Sequence, residues 1–381
     1  MLSPDTQLVS VDDHIVEPPN VWTDRLPAKW QEDGPRIVDQ ENKTQAWSYD
    51  GELYPLMFQG NAATRRFREE GGRGDDLYAR HFDDMIASAY DIHERIKAMD
   101  EDGVTAQLLF PTFPRFAGTM FLTAKNKELA LLCIQAWNDW MIDEVCGTFP
   151  DRYIPQVLVP LWDVELAAAE ARRTAAKGAR SVAFCENPAP FGVPSFPTNY
   201  WTPFFKAAEE CELVLSMHIG TSGSLARSSE EAPASVGIAL CGINSQLTLG
   251  ELLLTEALKD TPNLKLALSE GGAGWVPWAI ERLDYTWARS RYEGVQQHEK
   301  PSEIYARQFW TCIISDRVAI ETREMIGIDK LMWESDFPHN DSNWPNSRKI
   351  FADFLVDVPD ADAQAIGEDN ARKLYRFPRR T

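Results

Sequence analysis

The sequence predicts an α/β fold, a distorted (β/α)8 TIM barrel, and three observations carry that expectation. Short apolar runs recur along the chain with helix-like stretches between them. Several of those runs end in His, Asp or Glu, as strands feeding a polar rim do. The chain has 381 residues, enough to hold eight such units in one domain. A doubly wound open sheet is the alternative topology.

The strand-like runs fall at residues 8–11, 106–110, 153–159, 181–184, 214–217, 264–269, 309–312 and 331–335. Each is short and mostly apolar, the pattern of parallel strands covered on both faces. Between them, residues 83–99 place Met85, Ile86, Ala89, Ile92, Ile96 and Met99 at a helical period. Residues 124–145 are long and amphipathic, and 164–176 are alanine-rich with Gly178 as the expected C-cap. Further helices are expected at 201–210, 248–259, 275–289, 316–326 and 360–375. The stretch after the first strand is too long for one connection. Residues 18–80, with Pro18-Pro19, Gly51, Gly60 and Gly71-Gly72, read as an insertion that caps the barrel mouth or contacts a second subunit. Loops 187–202 and 220–242, rich in Pro, Ser and Gly, read as functional lids or disordered segments. Residues 1–381 then form a single metal-dependent domain.

Composition narrows the function. Hydrophobic residues make up 44% and charged residues 25%, as in soluble globular enzymes. A formal charge of −20 lacks the basic footprint that nucleic acid requires and disfavours anionic membrane surfaces. No apolar run approaches the ~20 residues of a membrane span, and the N-terminus lacks the basic-then-apolar pattern of a signal peptide. The six cysteines are widely spaced without CxxC, so reduced thiols in a cytoplasmic protein are expected.

The polar strand ends suggest a metal site. Side chains alternate along a strand, so Asp12 and His14 share a face while Asp13 points the other way. His218 closes the fifth run, Glu270 the sixth and Asp336 the eighth, with Glu334 on the same side as Asp336. Each has a plainer reading. Asp336 or Glu270 is a plausible helix cap, Glu17 a loop ion-pair partner, Glu186 a loop anchor, and Asp12 a partner that orients a metal-bound histidine. His339, three residues past Asp336, reads as a substrate contact or proton shuttle. His81, His93 and His298 read as surface or helix histidines. The aromatics Trp22, Phe58, Phe113, Phe116, Phe191, Phe196, Trp201, Trp275 and Phe337 suggest a pocket for a bulky, mainly apolar substrate, with Arg115 or Arg227 for an anionic group.

Five segments together resemble the amidohydrolase superfamily, specifically its amidohydrolase-related (amidohydrolase 2) branch. They are Val11-Asp12-Asp13-His14-Ile15-Val16-Glu17-Pro18-Pro19, Met217-His218-Ile219-Gly220, Ser269-Glu270-Gly271-Gly272-Ala273-Gly274-Trp275, Glu334-Ser335-Asp336-Phe337-Pro338-His339 and Asn370-Ala371-Arg372-Lys373-Leu374-Tyr375. The resemblance implies one or two metals at the C-terminal rim, with His14, His218 and Asp336 as ligands, and often a homodimer. Three departures stand out. Val16 occupies the second position of the family's His-x-His. Glu270 stands where a histidine commonly closes the sixth strand. Glu186 lies near the level of the bridging carboxylated lysine of binuclear members.

The metal shell expected from these positions is Asp12, His14, Glu17, Glu186, His218, Glu270 and Asp336, with His339, Asp336 and Glu270 taking part in catalysis. With Glu17, one residue past Val16, standing in for the missing histidine, the substitutions move from nitrogen toward oxygen donors, and oxygen-rich shells suit iron or manganese better than zinc. The expected cofactor is accordingly two divalent metal ions, iron ahead of manganese or zinc. The favoured reaction is O2-dependent hydroxylation of a bulky, mainly apolar small molecule by a nonheme diiron monooxygenase. The alternative is a metal-dependent hydrolase or non-oxidative decarboxylase acting on an aromatic or acyl substrate.

Overall fold

The computed structural model describes residues 2–56, 63–223, 225–227, 229, 231–293 and 297–380. Phe58 and Gly60 lie outside the described residues. The fold is α/β and built on parallel strands. In chain order these are β1 (Leu8–Ile15), β2 (Arg36–Asp39), β3 (Gln45–Tyr49), β4 (Glu52–Pro55), β5 (Val104–Pro111), β6 (Tyr153–Ile154), β7 (Gln156–Val157), β8 (Ser181–Cys185), β9 (Val214–His218), β10 (Lys265–Ser269), β11 (Phe309–Ile313) and β12 (Leu331–Trp333).

All eight expected strand runs are present, but not as one closed ladder. They form a parallel three-stranded sheet, β1-β5-β6, and a parallel six-stranded sheet, β12-β11-β10-β9-β8-β7. The run expected at 153–159 breaks at Pro155, which has no N–H to donate. Its first half pairs with β5 and its second with β8. At the other seam two backbone bonds tie the ends of the sheets. Asp336 N donates to Asp12 O and His14 N to Phe337 O, each at 2.8 Å. This seam brings the tips of β1 and β12 together, and the site forms there.

Helices cover the sheets. Ile92–Asp102 starts where the Asp91 side chain accepts from His93 N and Glu94 N, and it stops at Gly103 with φ of 72°. The helix expected from residue 83 therefore starts later, after short 3-10 turns. Lys127–Asp139, capped by Asn126, runs on into a π turn, Trp140–Cys146. Val164–Ala176, Thr202–Glu210, Gly242–Leu254 and Val276–Arg289 follow the expected order. The helix expected at 316–326 is two short pieces, Arg317–Glu321 and Arg323–Ile326. No helix among the described residues is long and apolar enough to cross a membrane.

The stretch after β1 carries its own antiparallel sheet, β2-β3-β4. Alternation sends Trp47 and Tyr49 of β3 inward, where they meet Trp22, Phe113 and Phe121. That aromatic cluster fixes the small sheet beside the strand ends. Trp22, Phe113, Phe196 and Trp201, expected at the pocket mouth, are fully buried packing groups.

Candidate metal centre

Register places the site. Cys185, His218 and Ser269 lie side by side across β8, β9 and β10, so Glu186, Ile219 and Glu270 each stand one residue beyond the ladder. Glu270 and Asp336 both have positive φ, 58° and 55°, a region costly for residues with a Cβ and tolerated where the fold over-determines it.

Asp12, His14, His218 and Asp336 converge, and all four are buried. His14 Nε2 lies 3.3 Å from His218 Nε2, 3.5 Å from Asp12 Oδ1 and 3.2 Å from Asp336 Oδ1. His218 Nε2 lies 3.5 Å from Asp12 Oδ2 and 3.0 Å from Glu270 Oε2. His218 Nδ1 is 2.7 Å from the carbonyl of Ile219, and only an N–H can face a carbonyl at that distance. Its Nε2 thereby faces Asp12 and Glu270. Burial, reinforced by His339 and His218, pushes the His14 imidazole well below its ordinary pKa and keeps it neutral.

A divalent cation fits this donor set. Both oxygens of Asp12 are buried without a hydrogen-bond donor, and both of Asp336 are buried with the imidazoles of His14 and His339 beside Oδ1. Leaving such atoms unsatisfied costs about 1–3 kcal/mol each, more for a charge. Burial first, then repulsion from Glu334, Glu270 and Asp336, pushes the Asp12 carboxyl well above its usual range. Burial does the same to Glu334, up to about 8. A metal ion satisfies the unpaired oxygens and offsets the crowded negative charge. Two imidazoles with two carboxylates are a mixed nitrogen and oxygen set that suits manganese, iron or zinc.

Around this centre sit groups that hold or complete it. His339 stacks on His14 with ring centroids 3.7 Å apart, and its Nδ1 lies 2.9 Å from Asp336 Oδ1. Burial opposes its charge, but Asp336 prevails and raises the His339 pKa. Phe116 lies over both histidines, 4.6 Å from His14 and 4.3 Å from His218. Behind the site, Cys312 Sγ is 2.5 Å from Glu334 Oε2. The buried Arg95 donates to His14 O at 2.5 Å and Phe337 O at 3.2 Å, so it clamps the seam where the ligands meet.

A cavity of about 520 Å³ opens onto Glu270, Asp336 and His339, within the roughly 300–1,000 Å³ of small-molecule pockets. Its walls include Tyr54 from β4, Arg115, Phe116, Ile219 and Leu225. The 18–80 stretch thus supplies one wall.

Two expected ligands lie elsewhere. Glu17 Oε1 accepts from Trp137 Nε1 and Thr112 N at 2.9 and 3.1 Å, and its Oε2 accepts from Phe113 N at 2.8 Å. Glu186 accepts at Oε1 from Ser222 and Asn244, while its Oε2 is buried without a partner. The first strand contributes Asp12 and His14 as its alternating pair, so the pattern to read was Asp-x-His ending at His14 rather than His-x-Val starting there. Arg95 and Asp341 escaped the sequence reading. Arg95 had a signal, since it shares its helix's buried stripe with Ala98, Met99 and Asp102. Asp341 follows Asp336 in an irregular loop and had none. His81, His93 and His298 are exposed, and the six cysteines are free thiols.

The Amidohydrolase family model matches residues 49–377. The chain belongs to the amidohydrolase family. The match begins after β1, so Asp12 and His14 are placed by the structure alone. The chain is 23% identical over 317 residues to gamma-resorcylate decarboxylase of Rhodococcus jostii (strain RHA1), covering 78% of this chain and 92% of that one. An amidohydrolase from Mycobacterium avium subsp. paratuberculosis K-10 superposes with a TM-score of 0.73 at 22% identity, covering 98% and 100% of the two chains. The 5-carboxyvanillate decarboxylase of Novosphingobium aromaticivorans DSM 12444, solved with manganese and 4-hydroxy-3-methoxy-5-nitrobenzoic acid, gives 0.66 at 16% identity, covering 98% of each chain.

These findings make the protein a metal-dependent enzyme of the amidohydrolase fold. They do not support two irons, O2 or monooxygenase chemistry. The physical reason lies in the carboxylates. The diiron expectation counted Glu17 and Glu186 toward the shell, and both are engaged by other donors.

Proposed function

We propose that this amidohydrolase is a non-oxidative decarboxylase of a hydroxylated aromatic acid that works with one divalent metal ion, manganese by preference. The observation that supports it most is the convergence of unpaired donors from Asp12, His14, His218 and Asp336 on one place, beside a His339–Asp336 pair that borders the cavity. The two sheets act as one distorted (β/α)8 barrel, and residues 18–80 are an insertion that covers part of its mouth.

Asp12, His14, His218 and Asp336 would hold the ion, which supplies a Lewis acid for the substrate's carboxylate and a neighbouring hydroxyl. The remaining chemistry belongs to the side chains. The reaction breaks the bond from ring carbon to carboxylate and forms a bond from that carbon to hydrogen. It releases CO2, consumes one proton and needs no oxidant. His339, held protonated by Asp336 at the cavity wall, is the proton source. Glu270, partly exposed beside His218, accepts the proton of a substrate hydroxyl. Phe116 shields the metal-facing imidazoles from water and offers a face for an aromatic ring. Arg115 at the rim favours an anionic substrate. The relatives point the same way, since gamma-resorcylate decarboxylase and 5-carboxyvanillate decarboxylase are named for hydroxylated aromatic acids.

The test is incubation of the manganese-loaded protein with a panel of hydroxybenzoates under strict anaerobiosis. Release of CO2 with the matching phenol, at the same rate with and without O2, is the expected result. Product that forms only when O2 is admitted would refute the proposal.

A further inference from the structure

One carboxylate at a strand end is buried, outside the metal centre, and joined to the substrate cavity by a short path. Glu186 follows β8 and is 2% exposed. Its Oε1 accepts from Ser222 Oγ at 2.8 Å, Asn244 Nδ2 at 3.0 Å and Ser222 N at 3.3 Å. Its backbone is held too. Glu186 N donates to Thr221 Oγ1 at 2.9 Å, and Thr248 Oγ1 donates to Glu186 O at 2.9 Å. Thr221 Oγ1 in turn donates to His218 O at 2.6 Å, and Asn244 Oδ1 accepts from Ala226 N at 3.0 Å.

Asn244 and Thr248 lie on the helix Gly242–Leu254, and Thr221, Ser222 and Ala226 belong to one loop. It leaves β9 at His218, and its Ile219, Gly220, Thr221 and Leu225 line the cavity at the metal centre. Its other side, Ser222 and Ala226, lines a separate cavity of about 430 Å³ with Glu186 and Asn244. The loop is therefore a thin partition with a cavity on each side. The Phe191 ring lies against Gly223, and directional bonds hold the wall beside it. Glu186 lies at the centre of those bonds.

We propose that Glu186 is a positioning residue that sets substrate fit: by pinning Ser222 and Asn244 it fixes residues 219–223 and 225–227 as the cavity wall against which the substrate's ring packs. The inference rests on the decarboxylase reading for the identity of the substrate, but not for the anchoring of the loop. Removing the carboxylate frees the loop to move toward the cavity behind it. It leaves Asp12, His14, His218 and Asp336 untouched.

The test compares Glu186→Ala and Glu186→Gln in the full-length, manganese-loaded protein, with 2,6-dihydroxybenzoate as the probe. Loss of three hydrogen bonds to a buried acceptor predicts a KM, or a Kd for the probe, raised on the order of tenfold in Glu186→Ala, with kcat and manganese affinity unchanged. Amide exchange at Ile219, Thr221, Ser222, Leu225 and Ala226 should accelerate in that variant. Glu186→Gln keeps a carbonyl oxygen for the same donors and should restore both KM and protection. Unchanged exchange in Glu186→Ala would overturn the proposal. So would a parallel loss of manganese affinity, which would make Glu186 part of the metal shell, or a Gln variant as impaired as the Ala variant. If the wild-type protein neither binds nor turns over the probe, the decarboxylase reading fails, and the exchange experiment still decides the role of Glu186.

Discussion

Two sets of buried carboxylates at the ends of neighbouring strands look alike in the sequence and behave differently in the fold. Asp12 and Asp336 keep all four oxygens buried among imidazole nitrogens, with no backbone or amide N–H directed at them. Glu17 and Glu186 are equally buried, yet Glu17 is bonded at both oxygens and Glu186 takes three donors at one. Glu186 Oε2 is itself buried without a partner, so on the proposed reading the contrast is one of degree, between oxygens that a cation would satisfy and carboxylates already committed to loop donors. Burial alone does not identify a ligand; the direction of the nearest N–H does.

The contrast breaks most sharply if the first set is altered. His218→Ala should abolish both turnover and manganese binding in a protein that remains folded by circular dichroism, whereas Glu17→Gln should affect neither. Retained manganese in the His218 variant would dissolve the distinction. Next in size is His339→Asn, which removes the proton source and leaves the metal donors in place. Turnover should fall by about 10²–10⁴-fold with manganese content unchanged, as measured by stopped assay and elemental analysis.

A smaller effect is expected behind the ligands. Arg95→Met removes the clamp on the His14 and Phe337 carbonyls, and manganese affinity should weaken by about 10–100-fold. Arg95→Lys should recover part of that loss, because it keeps the charge but not the forked geometry. Titration of the metal-free protein measures both.

The smallest effect tests the anchors. Glu17→Gln places an amide against one of three donors and should cost about 1–3 kcal/mol in urea unfolding. Its pH dependence has a definite sign. Burial pushes the Glu17 carboxyl from 4.5 up to about 7 in the folded protein, so the fold holds this proton more tightly than the unfolded chain does. The stability it contributes is present below about pH 4.5 and is lost as pH rises toward 7. The Gln variant should show a flatter stability profile across that window.

Much of this was legible in the sequence because strands and metal sites leave periodic traces. The alternation of Asp12 and His14, the apolar runs ending at His218 and Glu270, and the Asp336-to-His339 spacing all located groups that the fold brings together. What stayed hidden depends on partners distant in the chain. Glu17 meets Trp137 across 120 positions, and Glu186 meets Asn244 across 58. No local pattern announces such pairs, so these two carboxylates looked like ligands. The same blindness inflated the oxygen count and turned the reaction toward O2. The broken third strand was signalled by Pro155, but the joining of β1 to β12 through Asp12 and Phe337 carbonyls was not, since backbone bonds carry no sequence mark.

The central claim is a single cation held by Asp12, His14, His218 and Asp336. The most direct measurement is the manganese stoichiometry of the metal-free wild-type protein on titration, read by electron paramagnetic resonance. One ion bound per chain, lost in Asp336→Asn and retained in Glu17→Gln, is the predicted result. Two tightly bound ions per chain, or binding that survives Asp336→Asn and fails in Glu17→Gln, would contradict the account.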